Sequence, residues 1–304
     1  MSTLTRAARA TVPAGAPLRY RLVALDIDGT LVTPQGHVAP RTARAVAQAL
    51  ARGALVVLCT GRHFSRGIRH LAAELGLSLP AIVRNGAAVQ DLATGAVLAQ
   101  RVLPPEALRR ALDAMLGCAA GGGTVPVVEE GPRYGERLFT LPQAQWNAAV
   151  PYFILDWQRS EHLRFVAAPE ELYGVRDASW LGGCGTREAA QHVYDTLRDL
   201  AGASVLTTVS RAPEWDLHCT SVVPAGCSKA SALAAFAAER GIALAEVLAV
   251  GDWYNDVEML AEAGWGVAMG QAPDEVKAAA DAVVPDNTHD GAAIAIERYL
   301  LGLD

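Results

Sequence analysis

The sequence predicts an α/β fold in which an open parallel sheet is interrupted by an inserted α+β domain. Short, uninterrupted apolar runs indicate strands that are buried on both faces, as in a parallel sheet covered by helices. Such runs lie at 22–25, 55–58, 81–83 and 247–250. Between the first two runs, apolar residues recur at helical spacing until Gly53, which predicts a helix and hence a β-α-β unit.

The last part of the chain repeats this alternation. After residue 222 the pattern predicts helices over 228–240, 254–262 and 273–279, and further strands over 266–269 and 282–284. Strands that alternate with helices favour a parallel sheet, because each helix carries the chain back to the start of the next strand. The first and last parts of the chain are therefore expected to share one sheet domain.

The middle of the chain has a different character. It contains 11 of the 18 aromatic residues and a hairpin-like sequence at 127–135, with helical patterns near 104–116 and 186–200. We therefore expect a loose tail, a sheet domain made from two stretches of the chain, and an α+β insertion. The predicted bounds are 1–19 for the tail, 20–85 and 222–304 for the sheet domain, and 86–221 for the insertion.

Composition and charge exclude several classes of protein. Apolar residues make up 51% of the 304 residues and charged residues only 19%, which excludes a disordered or fibrous chain. A net charge of −6 without a basic cluster argues against a nucleic-acid partner. The lack of an apolar run of ~18 residues argues against a membrane partner. We expect a monomer or a weak homodimer.

The five cysteines point to a reducing compartment. Their number is odd, their spacings are wide and no C-x-x-C pair occurs, so the sequence supports neither a disulfide framework nor a structural zinc site. Within residues 1–19, Arg6 and Arg9 lie among small residues, but no apolar segment follows them, which argues against a secretory signal. A cytoplasmic protein is therefore expected.

The strongest chemical signal follows the first apolar run. Asp26 and Asp28, followed by Gly29 and Thr30, lie where the predicted strand ends. In an open parallel sheet, ligands bind at the carboxyl ends of the strands. Two carboxylates this close repel each other unless a cation or a proton compensates them, which makes them costly in a purely structural role. An acidic turn without chemistry is the alternative.

Polar residues also follow two other predicted strands. Thr60 and Gly61 come after the second run and offer a hydroxyl and a backbone N–H to an anion such as phosphate, although this pair is also common in ordinary turns. Asp252, Asn255 and Asp256 come after the fourth run. Hard oxygen ligands of this kind suit Mg²⁺. Capping of the next helix is the alternative role for the two aspartates.

Lys229 begins a predicted helix. A positive charge in the first helical turn opposes the helix macrodipole, so an anionic partner is expected for this side chain. A solvated surface lysine is the alternative. Carboxylates, a hydroxyl, an amide and an ammonium group thus come from successive strand ends, and the combination is far less frequent by chance than any one member.

Four motifs occur along the chain: D-x-D-G-T from Asp26, T-G-R from Thr60, G-C-S-K ending at Lys229 and G-D-x-x-N-D around Asp252. In this order they resemble the haloacid dehalogenase-like superfamily of phosphohydrolases, and within it the Cof-type branch with a large class IIB cap. The resemblance implies a Rossmann-like parallel-sheet core, with 86–221 as the α+β cap domain. It also implies a Mg²⁺-dependent phosphatase that hydrolyses small phosphomonoesters, sugar phosphates first among them.

The resemblance also assigns roles to the matching residues. Asp26 would attack the phosphorus and carry an aspartyl-phosphate. Asp28 would protonate the leaving oxygen and then activate the hydrolytic water. Phosphate would be bound by Thr60, Gly61, Lys229 and Asn255, and Mg²⁺ by Asp26, the Asp28 backbone carbonyl, Asp252 and Asp256.

Two other functions are compatible with the same motifs. A phosphomutase would pass the phosphoryl group to a second hydroxyl, and an inactive protein would bind a phosphorylated ligand without chemistry. The chain also departs from the family pattern, with Trp253 and Tyr254 in place of small or polar residues and Gln271 in place of a common asparagine. We expect none of the three to touch a residue needed for chemistry, the aromatics either narrowing the site or packing beneath it.

Overall fold

The computed structural model describes residues 18–64, 67–118, 124–142, 162–209 and 218–303. Most of the predicted tail, 1–17, lies outside the described residues. The chain divides into two compact units. The sheet unit draws on Met1–Thr60, Gly67–Ile82 and Lys229–Asp304, and the inserted unit on Gly61–Arg66 and Val83–Ser228.

The described elements alternate in the predicted order. The strands are β1 (Leu22–Leu25), β2 (Leu55–Leu58), β3 (Ala81–Val83), β4 (Ala88–Gln90), β5 (Val97–Gln100), β6 (Val125–Glu129), β7 (Leu138–Thr140), β8 (Leu163–Phe165), β9 (Trp180–Gly185), β10 (Ala203–Val209), β11 (His218–Pro224), β12 (Val247–Gly251), β13 (Trp265–Ala268) and β14 (Ala282–Val283). The helices are α1 (Pro40–Ala51), α2 (Ile68–Glu74), α3 (Pro105–Gly117), α4 (Arg187–Leu197), α5 (Lys229–Ala238), α6 (Val257–Glu262), α7 (Asp274–Ala279) and α8 (Gly291–Ala295), which continues as a π-helical segment, Ile296–Leu301. No described helix is both long and apolar enough to cross a bilayer.

The sheet unit contains the predicted parallel sheet. Its strand order is β14-β13-β12-β1-β2, and every pair is parallel. All four residues of β1 are buried, as expected for a central strand covered on both faces. β3 touches this sheet through a parallel bridge between Cys59 and Ile82. The strands predicted from continuous apolar runs are therefore confirmed.

The first helix shows why its sequence is helical. α1 begins at Pro40, a position at which a backbone N–H would have no hydrogen-bond acceptor within the helix, so proline is tolerated there. Ala45, Val46 and Ala49 lie on its buried face. The helix ends just before Gly53, which adopts a left-handed φ of 82° that suits glycine. The predicted β-α-β unit is therefore confirmed, including its end.

The inserted unit is an α+β structure with its own core. Its six-stranded sheet has the order β10-β11-β9-β6-β7-β8 and is antiparallel except for the pair β7 and β8. Helices α3 and α4 contribute Leu112, Met115, Val193 and Leu197 to a hydrophobic core shared with this sheet. β6 and β7 form the antiparallel hairpin predicted from 127–135. The predicted mixture of helices and antiparallel strands is therefore confirmed.

The chain passes between the two units after Ile82 and after Ser228, and one short segment is grouped apart from its neighbours in sequence. The segment Gly61–Arg66 groups with the inserted unit although it follows a strand of the sheet unit. Within the inserted unit, the Arg84 N–H donates to the Arg62 carbonyl oxygen over 3.0 Å. His63 Nδ1 lies 2.5 Å from Glu129 Oε1. These contacts explain the grouping, and the domain bounds given above stay a prediction.

Candidate active site

Lys229 joins two carboxylates in the interior of the sheet unit. Its Nζ donates a hydrogen bond to Asp26 Oδ1 and another to Asp256 Oδ1, each over 2.6 Å. The side chain of Lys229 is fully buried. The prediction that this lysine has an anionic partner is confirmed. The alternative, that Lys229 is a solvated surface residue, is wrong.

The register of the parallel strands brings these residues together. Leu25, the last residue of β1, pairs with Val250 in β12. The N–H of Asp26 donates to the Val250 carbonyl oxygen over 3.0 Å. Because β1 and β12 run in the same direction, the residues that follow them emerge at the same edge of the sheet. Asp26 and Asp252 are thus neighbours although they are far apart in sequence.

Gly29 leaves the space that the Asp252 carboxylate occupies. It has a φ of 83°, and a Cβ built on it would collide with Asp252 Oδ2. Glycine alone meets both conditions without strain, since it tolerates positive φ and has no side chain. The next residue, Thr30, donates its hydroxyl to Asp252 Oδ1 over 3.4 Å. The turn after β1 is therefore built around this carboxylate.

Asp256 uses its two oxygens for different purposes. Oδ2 accepts the N–H groups of Asp252 and Trp253 over 2.9 and 3.0 Å, which fixes the turn before α6. Oδ1 accepts the hydrogen bond from Lys229. Asp256 therefore caps the helical turn Tyr254–Asp256, although its side chain makes no capping hydrogen bond to α6, and it also belongs to the charged cluster.

Burial and neighbouring charges shift the pKa values of both Asp26 and Lys229. Burial raises the pKa of Asp26 to about 8, against the opposing charge of Lys229 and with the repulsion of Asp256 and Asp252. Burial on its own would lower the pKa of Lys229, but the charges of Asp256 and Asp26 outweigh it and raise that pKa. Lys229 is therefore a permanent cation, whereas Asp26 shares its site with a proton near neutral pH.

The acidic side chains of the cluster fit a divalent cation. Oxygen atoms of Asp26, Asp252 and Asp256 all lie within 4.8 Å of one another, and all three residues are buried. The three acidic side chains share the interior with the ammonium group of Lys229, which contacts Asp26 and Asp256. Hard carboxylate oxygens are the ligands that Mg²⁺ prefers. The donor set and the charge therefore match the predicted ion.

Asp28 and Asn255 lie in the turns that carry the cluster. Asp28 is half-buried in the turn after β1, where the N–H groups of residues 30–32 all donate to the Ile27 carbonyl oxygen. Asn255 is half-buried in the helical turn Tyr254–Asp256. Neither belongs to the acidic group found among the described side chains, so their roles stay predictions.

Thr60 and Gly61 lie at the end of β2, where the chain passes from one compact unit to the other. Thr60 is fully buried, and its N–H donates to the Ile82 carbonyl oxygen over 2.9 Å. Gly61 lies against the Asn85 side chain, whose Oδ1 would be 3.0 Å from a Cβ at position 61. Phosphate binding by these two residues stays a prediction.

Gln271 contacts the cluster directly. Its side-chain Nε2 donates to the Gly29 carbonyl oxygen over 2.5 Å and to Asp252 Oδ2 over 3.3 Å. The expectation that Gln271 touches no residue needed for chemistry is therefore wrong. The missed signal was its position just after β13, at the same edge of the sheet as the other site residues.

Trp253 and Tyr254 pack against each other beside the cluster. Their rings meet edge to face with centroids 5.4 Å apart. Tyr254 is 39% exposed, and its hydroxyl donates to Glu275 Oε2 over 3.4 Å. The described contacts of the Tyr254 side chain are thus made with Trp253 and with α7. The Trp253 N–H donates to Asp256 Oδ2 over 3.0 Å, so the expectation that Trp253 touches no residue needed for chemistry is also wrong.

The inserted unit has a buried ionic cluster of its own that sequence reasoning missed. Arg84 forms ion pairs with Glu129 and, over 3.3 Å, with Glu136, and it donates to the Ser179 hydroxyl over 3.2 Å. The Arg84 side chain is fully buried, and its backbone has a left-handed φ of 57°. Burial lowers the pKa of His63, which lies beside Glu129, against the charge of that carboxylate. No local pattern marks these residues, because their partners come from separate strands and turns.

Comparisons with known proteins agree with the geometry. A sequence model of the haloacid dehalogenase-like hydrolase family matches residues 23–118 and 184–296. The chain is 30% identical over 285 residues to pyridoxal phosphate phosphatase YbhA of Escherichia coli strain K12, covering 92% of this chain and 99% of that protein. It is 31% identical over 265 residues to HMP-PP phosphatase of Serratia proteamaculans, covering 85% and 86%.

A solved structure supports the same fold. The chain superimposes on a haloacid dehalogenase subclass IIB sugar phosphatase with a TM-score of 0.74 at 24% identity, covering 92% of this chain and 98% of that one. The predicted fold class, an open parallel sheet with an inserted α+β cap domain, is therefore confirmed.

Proposed function

Because this chain belongs to the Cof-type branch of the haloacid dehalogenase-like hydrolases, we propose that it is a Mg²⁺-dependent phosphatase of small phosphomonoesters that works through a phosphorylated Asp26. It is a phosphoric monoester hydrolase, the class to which its curated phosphatase relatives belong. The observation that carries the proposal is the buried contact of Lys229 with Asp26, beside the carboxylates of Asp252 and Asp256.

Asp26 is the proposed nucleophile. A carboxylate is a weak nucleophile, and its charge repels a phosphate dianion, so the site has to reduce that repulsion. Lys229 holds the Asp26 oxygen over 2.6 Å and contributes a permanent positive charge beside the attacking atom. Attack by Asp26 forms a bond to phosphorus as the bond to the leaving oxygen breaks. Water then displaces the phosphate from Asp26 and restores the carboxylate.

Asp28 is the proposed acid and base. It would give its proton to the leaving oxygen in the first step and take one from water in the second. Thr60, Gly61 and Asn255 would hold the phosphate oxygens through a hydroxyl, a backbone N–H and an amide. When bound by Asp26, the Asp28 backbone carbonyl, Asp252 and Asp256, Mg²⁺ would supply positive charge to the phosphoryl oxygens.

Two substrate classes have support. Sugar phosphates are the first candidates, on the family resemblance and on the subclass IIB sugar phosphatase with the same fold. Phosphorylated heterocycles are the second, because the curated relatives named above act on pyridoxal phosphate and HMP-PP. Both are small phosphorylated molecules, and the odd, widely spaced cysteines favour a cytoplasmic setting for the reaction.

The test is a phosphate-release screen of the purified protein. Sugar phosphates, nucleotides, flavin phosphates and pyridoxal phosphate are each offered with Mg²⁺ and with a chelator. We expect free phosphate, rather than an isomeric ester, from at least one small monoester and only when Mg²⁺ is present. Production of an isomer without phosphate would instead identify a phosphomutase, and turnover that is equal in the chelator would contradict the proposal.

A further inference from the structure

Gln271 contacts the turn of the proposed nucleophile and a candidate metal ligand at the same time. Its Nε2 donates to the Gly29 carbonyl oxygen over 2.5 Å and to Asp252 Oδ2 over 3.3 Å. A carbonyl oxygen and an ionised carboxylate can only accept hydrogen bonds. The NH₂ end of the amide therefore faces both partners, and its two protons match the two acceptors.

The backbone that carries Gln271 is fixed by the sheet. The Met269 N–H donates to the Gly251 carbonyl oxygen over 3.0 Å, and the Gly270 N–H lies 3.4 Å from the Pro285 carbonyl oxygen. A Cβ at position 270 would press on the backbone of residues 284–286. The Gln271 side chain is exposed, but the contacts of residues 269 and 270 fix the position of the backbone that carries it.

The Asp252 carboxylate is held from both sides. Thr30 donates to its Oδ1 over 3.4 Å, and Gln271 donates to its Oδ2 over 3.3 Å. An oxygen atom of this carboxylate also lies within 4.8 Å of oxygen atoms of Asp26 and Asp256, the other acidic side chains of the cluster. Donors that orient a ligating carboxylate are worth about 10- to 100-fold in metal affinity or activity.

We propose that Gln271 is a positioning residue of the metal site. It holds the Asp252 carboxylate and the Gly29 carbonyl at a fixed separation, so that the acidic cluster is oriented before Mg²⁺ arrives. The inference rests on the proposed function, because it takes Asp252 to be a metal ligand. An asparagine at this position would be one methylene, about 1.5 Å, too short to reach both acceptors from the same Cα.

The test compares two variants with a matched control. Gln271→Leu removes both donors at similar size, and Gln271→Asn keeps the amide but shortens it. The control is Asn287→Leu, because Asn287 Nδ2 donates to the Val32 carbonyl oxygen over 2.8 Å, a bond of the same kind to the chain after β1. The readout is the Mg²⁺ concentration that gives half of the maximal rise in melting temperature, without substrate.

We expect this Mg²⁺ midpoint to rise about 10-fold or more in both Gln271 variants and to stay unchanged in Asn287→Leu. An unchanged midpoint in the Gln271 variants would overturn the inference, and so would an equal rise in the control. If Gln271→Leu does not fold, Gln271→Asn decides by the same criterion. Wild-type protein that Mg²⁺ does not stabilise and that releases no phosphate would overturn the proposed function itself, which is a distinguishable result.

Discussion

Burial and charged neighbours together set the protonation of the residues at the centre of the candidate active site. Lys229 is fully buried yet stays protonated, because it faces Asp26 and Asp256 at 2.6 Å each. Asp26 is less readily ionised, because the effect of burial on its pKa exceeds the opposing effect of the Lys229 charge and raises that pKa to about 8. A carboxyl that holds a proton in this way is ready to exchange it for a metal ion.

Replacing the proposed nucleophile tests the chemistry most directly. Asp26→Asn keeps the size of the side chain but removes the attacking carboxylate, so turnover should fall by about 10³-fold or more. Phosphate release and circular dichroism measure activity and fold. Asp274→Asn, at an exposed position, is the matched control and should keep full activity. Undiminished turnover in Asp26→Asn with an intact fold would remove the mechanism.

The raised pKa of Asp26 predicts that Mg²⁺ binding releases a proton. Below about pH 8 the Asp26 carboxyl of the metal-free protein is mostly protonated, so Mg²⁺ affinity should increase as the pH rises from 6 to 8 and level off above. Calorimetric titration in buffers of different ionisation enthalpy measures the proton. Asp26→Asn should release none from this position, and proton release equal to wild type in that variant would contradict the assignment.

The raised pKa of Asp26 also predicts how the free energy of unfolding of the metal-free protein changes with pH. Between the usual aspartate pKa of 3.8 and about 8, the folded chain holds a proton on Asp26 that the unfolded chain has lost. The free energy of unfolding from this group therefore falls as the pH rises through that window. The raised pKa of Lys229 contributes stability throughout this range, because its ordinary value lies above it. Melting temperatures from pH 5 to 8 should fall more for wild type than for Asp26→Asn.

At the scale of elements, the turns after β1, β12 and β13 create the site. Each follows a strand of one parallel sheet, and each supplies a group that a neighbouring turn holds: the Gly29 carbonyl, the Asp252 carboxylate and the Gln271 amide. Glycine is required where two of these turns meet, because the Asp252 carboxylate occupies the space of a Cβ at position 29.

A comparison of Gly29 with Gly36 distinguishes the cost of backbone strain from the cost of steric crowding, because the two glycines have similar φ values. Gly29 and Gly36 have φ values of 83° and 81°, but only a Cβ at Gly29 meets other atoms. Gly36→Ala should cost about 1–2 kcal/mol of unfolding free energy from backbone strain. Gly29→Ala should cost about 1–3 kcal/mol more through crowding, and it should weaken Mg²⁺ binding. Denaturant unfolding measures both, and equal losses would contradict the crowding.

The ionic cluster of the inserted unit should be a major source of its stability. Arg84→Met removes the arginine that pairs with the fully buried side chain of Glu129 and leaves His63, whose pKa is lowered by burial, beside that carboxylate, at a cost of about 3–5 kcal/mol. Arg21→Met breaks a pair with Glu246 in which the arginine is 51% exposed, and should cost about 1 kcal/mol or less. Similar losses in the two variants, measured by denaturant unfolding, would show that burial does not set the cost.

At the scale of the whole molecule, the charged cluster belongs to one compact unit, and the inserted unit has a separate core. The sheet unit is therefore expected to carry the metal dependence. A chelator should abolish phosphate release and lower the melting temperature, and excess Mg²⁺ should restore both, because an ion that binds the folded acidic cluster stabilises the folded state. Activity that survives exhaustive chelation would contradict a metal-dependent reaction.

Much of this molecule follows from its sequence. The continuous apolar runs predict β1, β2, β3 and β12, because only strands covered on both faces are apolar along their whole length. The strand-end positions of Asp26, Asp252 and Asp256 predict a shared acidic site, since parallel strands deliver their carboxyl ends to one edge. The predicted strands and the shared acidic site both follow from hydrophobic periodicity and chain direction, which short stretches of sequence determine.

Only the tertiary structure decides which atoms meet. Whether Lys229 faces solvent or two carboxylates depends on how α5 packs against the strand ends, and the sequence left both possibilities open. The reach of Gln271 to Gly29 and Asp252, and the burial of Arg84 against Glu129, depend on register and on turn geometry between distant segments. Contacts between residues far apart in the chain leave no local periodicity, and for that physical reason the sequence alone does not reveal them.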